Sequence, residues 1–228
     1  CAEEPIFYGV IPAAASLPDL EDEQRKRFIE HIPADSKQVL RNKIQPPAAS
    51  LAAEQAFSPL NMEIFEQVIK AIKIHLTGEF NLAEFMKLVK RGFQAGLKFN
   101  RAFFAMPETQ NGQTCLVSRF MFGNETGLQD LRIPVTGRNL FQRLLESPQA
   151  IHCKAGNRKA VLGLLPGNFR DVIQTDEFFV MTIRTSRKTL GIVYADRYGN
   201  DYGLDARDYE KFRQLCQLLA KGFERLGK

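Results

Sequence analysis

An α+β fold, antiparallel strands covered by helices, is what the sequence predicts, and three observations carry that prediction. Apolar residues recur at helical spacing in two stretches before residue 97 and in one after residue 205. Asn111-Gly112 stands between two strand-like runs, the strongest short-range signal for a tight hairpin. Two strongly apolar segments, 178–184 and 189–197, are joined by a short turn around Ser186-Arg187-Lys188. Hairpin-linked strands pair antiparallel, and amphipathic helices must bury their apolar stripe on at least one sheet face.

The elements follow in order. Ser58-Pro59 reads as an N-cap with proline at the first helical position. Phe65, Ile69, Ile72 and Leu76 then fall on one helix face, and Gly78 ends the helix. Asn81 caps a second helix with Glu84 as its capping-box partner; Leu82, Phe85, Val89 and Phe93 form the stripe, and Gly96 closes it. Residues 101–106 and 114–122 are the arms of the Asn111-Gly112 hairpin. A brief extended piece at 131–135 precedes an amphipathic helix from Asn139 to Glu146, stopped by Ser147-Pro148. A short strand at 150–153 leads into a helical stretch, 157–173, broken at Pro166-Gly167. The apolar strands 178–184 and 189–197 lack alternation, so both their faces are covered and they belong at the sheet centre. Asp205 caps a last helix that reaches about Leu226.

Charge divides the chain. Residues 1–57 hold 9 acidic and 6 basic side chains, net −3; residues 58–228 hold 17 and 25, net +8. Residues 1–57 read as a partly helical extension and linker, with helices at 17–31 and 34–44 and a hinge at Pro46-Pro47; residues 58–228 read as one domain. The 228 residues are 44% hydrophobic and 25% charged, which excludes collagenous and wholly disordered classes. No apolar run is long enough to span a bilayer. The pI of about 9.0 favours anionic partners. However, Lys87, Lys90 and Arg91 come with no nucleic-acid recognition motif, so neither nucleic acid nor membrane is expected as a partner. The absence of an initiator Met is expected of a piece cut from a longer chain. Cys1, Cys115, Cys153 and Cys216 form no CxxC pair, and with three histidines they build no metal motif; a reducing cytoplasm and no metal or cofactor are expected.

Residues 60–226 resemble a GAF domain, a relative of PAS domains. The strings that carry the resemblance are Phe99–Met106 (FNRAFFAM), Leu140–Ile151 (LFQRLLESPQAI), Leu164–Gly167 (LLPG), Asp176–Phe179 (DEFF) and Gly191–Asp196 (GIVYAD), with Tyr209, Phe212, Leu215 and Cys216 in the tail. They are similar to the GAF-like C-terminal regions of bacterial HDOD-domain signalling proteins. The resemblance implies a six-stranded antiparallel sheet with long helices on one face. It also implies a pocket on the other face, roofed by residues 123–175. The function it implies is a non-catalytic regulatory domain, for sensing or dimerisation, in a bacterial signal-transduction protein, with an upstream signalling domain in the same chain.

A small ligand in that pocket is expected to meet Arg119, Phe120, Phe122, Arg138 and Phe141, because guanidinium forks hold carboxylate or phosphate and aromatic rings sandwich flat groups. Asn157-Arg158, Phe169 and Asp176-Glu177 echo the signature of cyclic-nucleotide-binding members, with a longer interval between Phe169 and Asp176; Asn157, Asp176 and Glu177 join the candidate site on that ground. Phenylalanines plugging the cavity are the alternative. An enzymatic branch of the family reduces free methionine sulfoxide with pocket thiols, and Cys115 and Cys153 are the candidates here. Tyr209, Phe212, Cys216, Leu219 and Phe223 form an a/d seam on the last helix, and with Phe65 and Ile69 they are the expected homodimer interface. A ligand-free interaction scaffold is the remaining reading.

Overall fold

The computed structural model describes residues 59–123, 128, 131–199 and 202–226. The expected helices at 17–31 and 34–44, Cys1 and Ser58 lie outside the described residues. Helix α1 spans Met62–Thr77 and starts later than the Pro59 signal implied. Its cap is Asn61, whose side chain accepts from the Ile64 N–H at 3.0 Å and so supplies the acceptor that a first helical turn lacks. Helix α2, Leu82–Arg91, is capped by Asn81, which accepts from Glu84 N–H at 3.1 Å; the Glu84 carboxylate turns forward to Lys87 rather than back to the cap. A single π-helical turn, Gly92–Gly96, follows.

Six strands come next: β1 Arg101–Gln110, β2 Gln113–Gly123, β3 Arg132–Pro134, β4 Ala150–Cys153, β5 Phe178–Arg184 and β6 Thr189–Asp196. Between them lie α3 (Leu140–Glu146), α4 (Arg158–Leu162) and α5 (Gly167–Ile173), and α6 (Ala206–Leu226) follows β6. The sheet order is β3-β2-β1-β6-β5-β4, and each neighbouring pair is antiparallel. Asn111 and Gly112, with φ of 51° and 77°, make the β1–β2 turn, because only a turn with left-handed central residues matches the strand twist.

Each sheet face carries its own core. Ala102, Phe104, Phe179, Ile183, Val193 and Ala195 pack with α1, α2 and α6. Phe103, Ala105, Phe178, Val180, Ile192 and Tyr194 pack with α3, α4 and α5, which form a roof. Successive side chains on one strand serve opposite faces, which is why the central strands read as uninterrupted apolar runs. On the helix side α6 runs parallel to α1: Lys211 Nζ lies 5.5 Å from the Phe65 ring, and fourteen residues on, Arg225 donates to the Leu76 and Gly78 carbonyls at 2.6 and 2.9 Å. That guanidinium satisfies carbonyls that the end of α1 leaves free.

Candidate functional site

The space between sheet and roof is where a small ligand was expected, and aromatic rings occupy it. Tyr194 is central. Its ring lies 5.2 Å from Phe103, 5.3 Å from Phe169 and 5.3 Å from Phe178, and Phe141 meets Phe169 edge-on at 4.8 Å. All five side chains are buried to within 2%. Offset and edge-to-face packing of this kind adds to the transfer free energy of the rings, so the roof is held down by a continuous apolar filling.

Below that filling sits a polar network that sequence reasoning missed. Asp196 accepts from Arg101 Nε at 3.0 Å, Arg101 Nη2 at 2.6 Å, Tyr194 Oη–H at 2.6 Å and the Tyr198 N–H at 3.0 Å. Arg101 also donates to the Ile173 carbonyl at the end of α5, at 2.6 Å, and lies under the Tyr198 ring at 4.2 Å. Burial first, then the Asp196 charge, pushes the Tyr194 hydroxyl well above its usual pKa, so it remains a donor. The next residue faces the other way: Arg197 is bidentate to Asp208 at 2.7 and 2.8 Å and donates to the Leu97 and Gly203 carbonyls. The available signal was an Asp-Arg pair ending an apolar strand, since charges buried there must be paired.

The sequence-predicted residues separate into groups. Phe141 lies in the roof core. Phe120 and Phe122 are on the opposite face: Phe122 stacks on Phe93 at 5.4 Å, and Phe120 packs near Phe104 and Phe223. The cause is a bulge in β2. Phe104 pairs with Phe120 but Ala105 pairs with Ser118, so Arg119 is an extra residue and strand parity inverts across it. Leu116 therefore faces the roof while Phe120 and Phe122 face the helices. Arg119 instead pairs with Glu108, which also binds Arg132 at 3.0 Å. Arg138 is exposed in the turn before α3.

Asn157, Asp176 and Glu177 come together at the other edge of the sheet, as ties between loops. Asn157 Oδ1 accepts from Lys154 N–H and its amide donates to the His152 carbonyl, both at 2.9 Å, so it closes the β4–α4 turn. Arg158 reaches Asp176 at 2.8 Å, and Glu177 Oε2 accepts from Leu204 N–H at 3.3 Å. Phe65, Ile69, Phe212, Cys216 and Leu219 are buried in the helix-side core, with Tyr209 and Phe223 half-buried beside them. The α6 seam faces the chain's own sheet, and of these residues Tyr209 and Phe223 keep part of their surface exposed.

The thiols are dispersed. Cys153 is buried in the roof core, donates to the Asp176 carbonyl at 3.3 Å, and has its pKa pushed up to about 12 by burial and then by the Asp176 charge. Cys216 lies in the core on the other face, its pKa raised by burial. Cys115 is on β2, four strand steps from Cys153 on β4, or about 19 Å at the interstrand spacing. Among the described residues, no His, Cys, Asp and Glu group could hold a metal ion, and no helix is long and apolar enough to cross a membrane.

No family model and no curated protein matches the chain. Solved structures do. The GAF domain from a phosphoenolpyruvate-protein phosphotransferase of Coxiella burnetii aligns with a TM-score of 0.52 at 16% identity, over 73% of this chain and 96% of that one. The free methionine-R-sulfoxide reductase from Neisseria meningitidis, in complex with its substrate, aligns with a TM-score of 0.52 at 17% identity, over 75% and 97%. Residues 122 to 287 of a methyl-accepting chemotaxis protein align with a TM-score of 0.50 at 14% identity, over 71% and 98%. At these identities the likeness concerns the fold: the antiparallel sheet with its helices is a GAF fold.

Proposed function

We propose that this GAF-fold unit is a non-catalytic regulatory module of a bacterial signal-transduction protein, acting through its surfaces. Its partner in the same chain is an upstream signalling domain, of the HDOD type that the sequence resemblance implies. One observation carries the reading: Phe103, Phe141, Phe169, Phe178 and Tyr194 fill the region between sheet and roof where a ligand or substrate would sit. The GAF domain and chemotaxis-protein structures that align with the chain support it.

The reductase structures share the fold, and they motivate the alternative, a thiol enzyme acting on free methionine sulfoxide. That chemistry needs an attacking thiolate and a second thiol within disulfide reach, a Cα separation of at most about 7 Å. Cys153 is protonated at neutral pH and Cys115 lies across the sheet, which speaks against it.

The test has two arms on the full chain. A ligand present at about 100 times its Kd adds roughly 2.7 kcal/mol, which raises Tm by several degrees. Cyclic nucleotides and small carboxylic acids are expected to leave Tm unchanged, and methionine sulfoxide with dithiothreitol is expected to give no turnover. A saturable shift with any of them, or turnover that Cys153→Ser abolishes, overturns the proposal.

A further inference from the structure

The parallel helices α1 and α6 leave a groove of about 540 Å³ on the solvent side of the helical layer. Its apolar floor is made of Phe65, Ile69 and Ile74, and Ile74 is 62% exposed, the most exposed large apolar side chain among the described residues. Lysines stand on both walls: Lys70 and Lys73 from α1, Lys211 from α6. None of the three has a carboxylate partner among the described residues. Lys211 is drawn over the Phe65 ring at 5.5 Å, so its ammonium is held at the groove rather than free to swing away. Glu66 is the carboxylate among the lining residues, which leaves the groove net positive.

From this we infer that the α1/α6 groove is a docking site for an acidic amphipathic helix of a partner protein. A third helix laid along two parallel helices buries one apolar stripe between them. Here that stripe would cover Ile74, and carboxylates on both its flanks would meet Lys70 and Lys73 on one wall and Lys211 on the other. Charge decides against a second copy of the chain. A two-fold interface sets the same patch against itself, so the three lysines would oppose three lysines with only Glu66 to offset them. The inference names the partner class of the surface-acting module and rests on that reading; a failed peptide titration leaves the ligand and turnover arms above unaffected.

The probe is a fluorescein-labelled Leu/Glu peptide as long as α1, with leucines at i, i+3, i+4 and i+7 and glutamates on both flanks, titrated with the full chain and read by anisotropy. The control peptide carries lysine in place of every glutamate. Saturable binding of the acidic peptide, weakened by salt, is expected, with none for the basic control. Ile74→Asp and the double variant Lys73→Glu/Lys211→Glu are expected to weaken it about tenfold or more. All three side chains are on the solvent side of their helices, so circular dichroism and an unchanged thermal midpoint verify the fold. Equal binding of the two peptides, no binding of either, or indifference to both variants overturns the inference. So does sedimentation showing a dimer that Ile74→Asp dissociates, because the occupant is then a second copy.

Discussion

Replacing Asp196 with alanine tests whether the network under the roof holds the fold together. The carboxylate is fully buried and accepts four hydrogen bonds, three of them from Arg101 and Tyr194 side chains. Its loss strands the Arg101 guanidinium, itself 5% exposed, with only the Ile173 carbonyl and the Tyr198 ring. An uncompensated buried charge costs about 3–5 kcal/mol. For a unit of this size, that lowers Tm by roughly 10 °C. Urea unfolding followed by circular dichroism should show the same loss as a lower midpoint at unchanged m-value. The companion double variant, Arg101→Met/Asp196→Leu, removes the charge together with its partner and should recover more than half of the loss. It should not recover all of it, since Tyr194 Oη–H and Tyr198 N–H remain without an acceptor, at about 1–3 kcal/mol per buried group. A single variant that loses less than about 1 kcal/mol, or a double variant no more stable than the single one, would refute the claim that a buried charge pair is what matters here.

Three further outcomes follow from the same packing. A Cβ on Gly222 would lie 2.3 Å from the Phe85 ring, buried between α2 and α6, so Gly222→Ala should lose about 1–3 kcal/mol by overpacking despite alanine's better helix propensity; chemical denaturation checks it. Phe169→Ala should lose about 3–5 kcal/mol and open a dry roof cavity, detected as stabilisation by benzene that the parent chain does not show. Burial first, then the Lys154 charge, lowers the His152 pKa to about 4, so the folded state holds it neutral while the unfolded chain takes a proton below pH 6.5. Unfolding free energy should therefore fall as the pH drops from 6.5 to 4, by roughly 1–2 kcal/mol once screening at the partly exposed ring is allowed for. His152→Phe should flatten that slope, and an unchanged slope would assign it to other groups.

Much of this architecture was legible locally. Asn81, Asn139 and Asp205 each mark a helix start because a short polar side chain can satisfy first-turn N–H groups. The Pro166-Gly167 break separates α4 from α5, as a residue with no N–H must. The Asn111-Gly112 turn sets the β1–β2 register because few residue pairs tolerate two left-handed conformations in succession. The first helix is capped by Asn61 rather than started at the Ser58-Pro59 signal, and three residues of sequence do not say which backbone N–H groups lie free to be capped. Residue type alone places Phe120 and Phe122 beside the pocket arginines; the face each ring takes is decided by the bulge at Arg119, and a bulge has no composition signature strong enough to reveal it. The stripe on α6 was legible as a stripe, but a helix on a sheet and a helix in a dimer need the same periodicity.

Local chemistry, then, was enough to establish the order of the helices, both hairpins and the burial of the central strands on two faces, because caps, turns and periodicity act within a few residues. Three things depended on contacts between residues far apart in the chain: the side of the sheet that each aromatic ring serves, the pairing of Arg101 with Asp196 across 95 residues, and the meeting of α1 with α6 that leaves three lysines around Ile74. A one-residue bulge inverts the face of every side chain beyond it, and a buried charge selects its partner by distance in space. Only the folded chain specifies either.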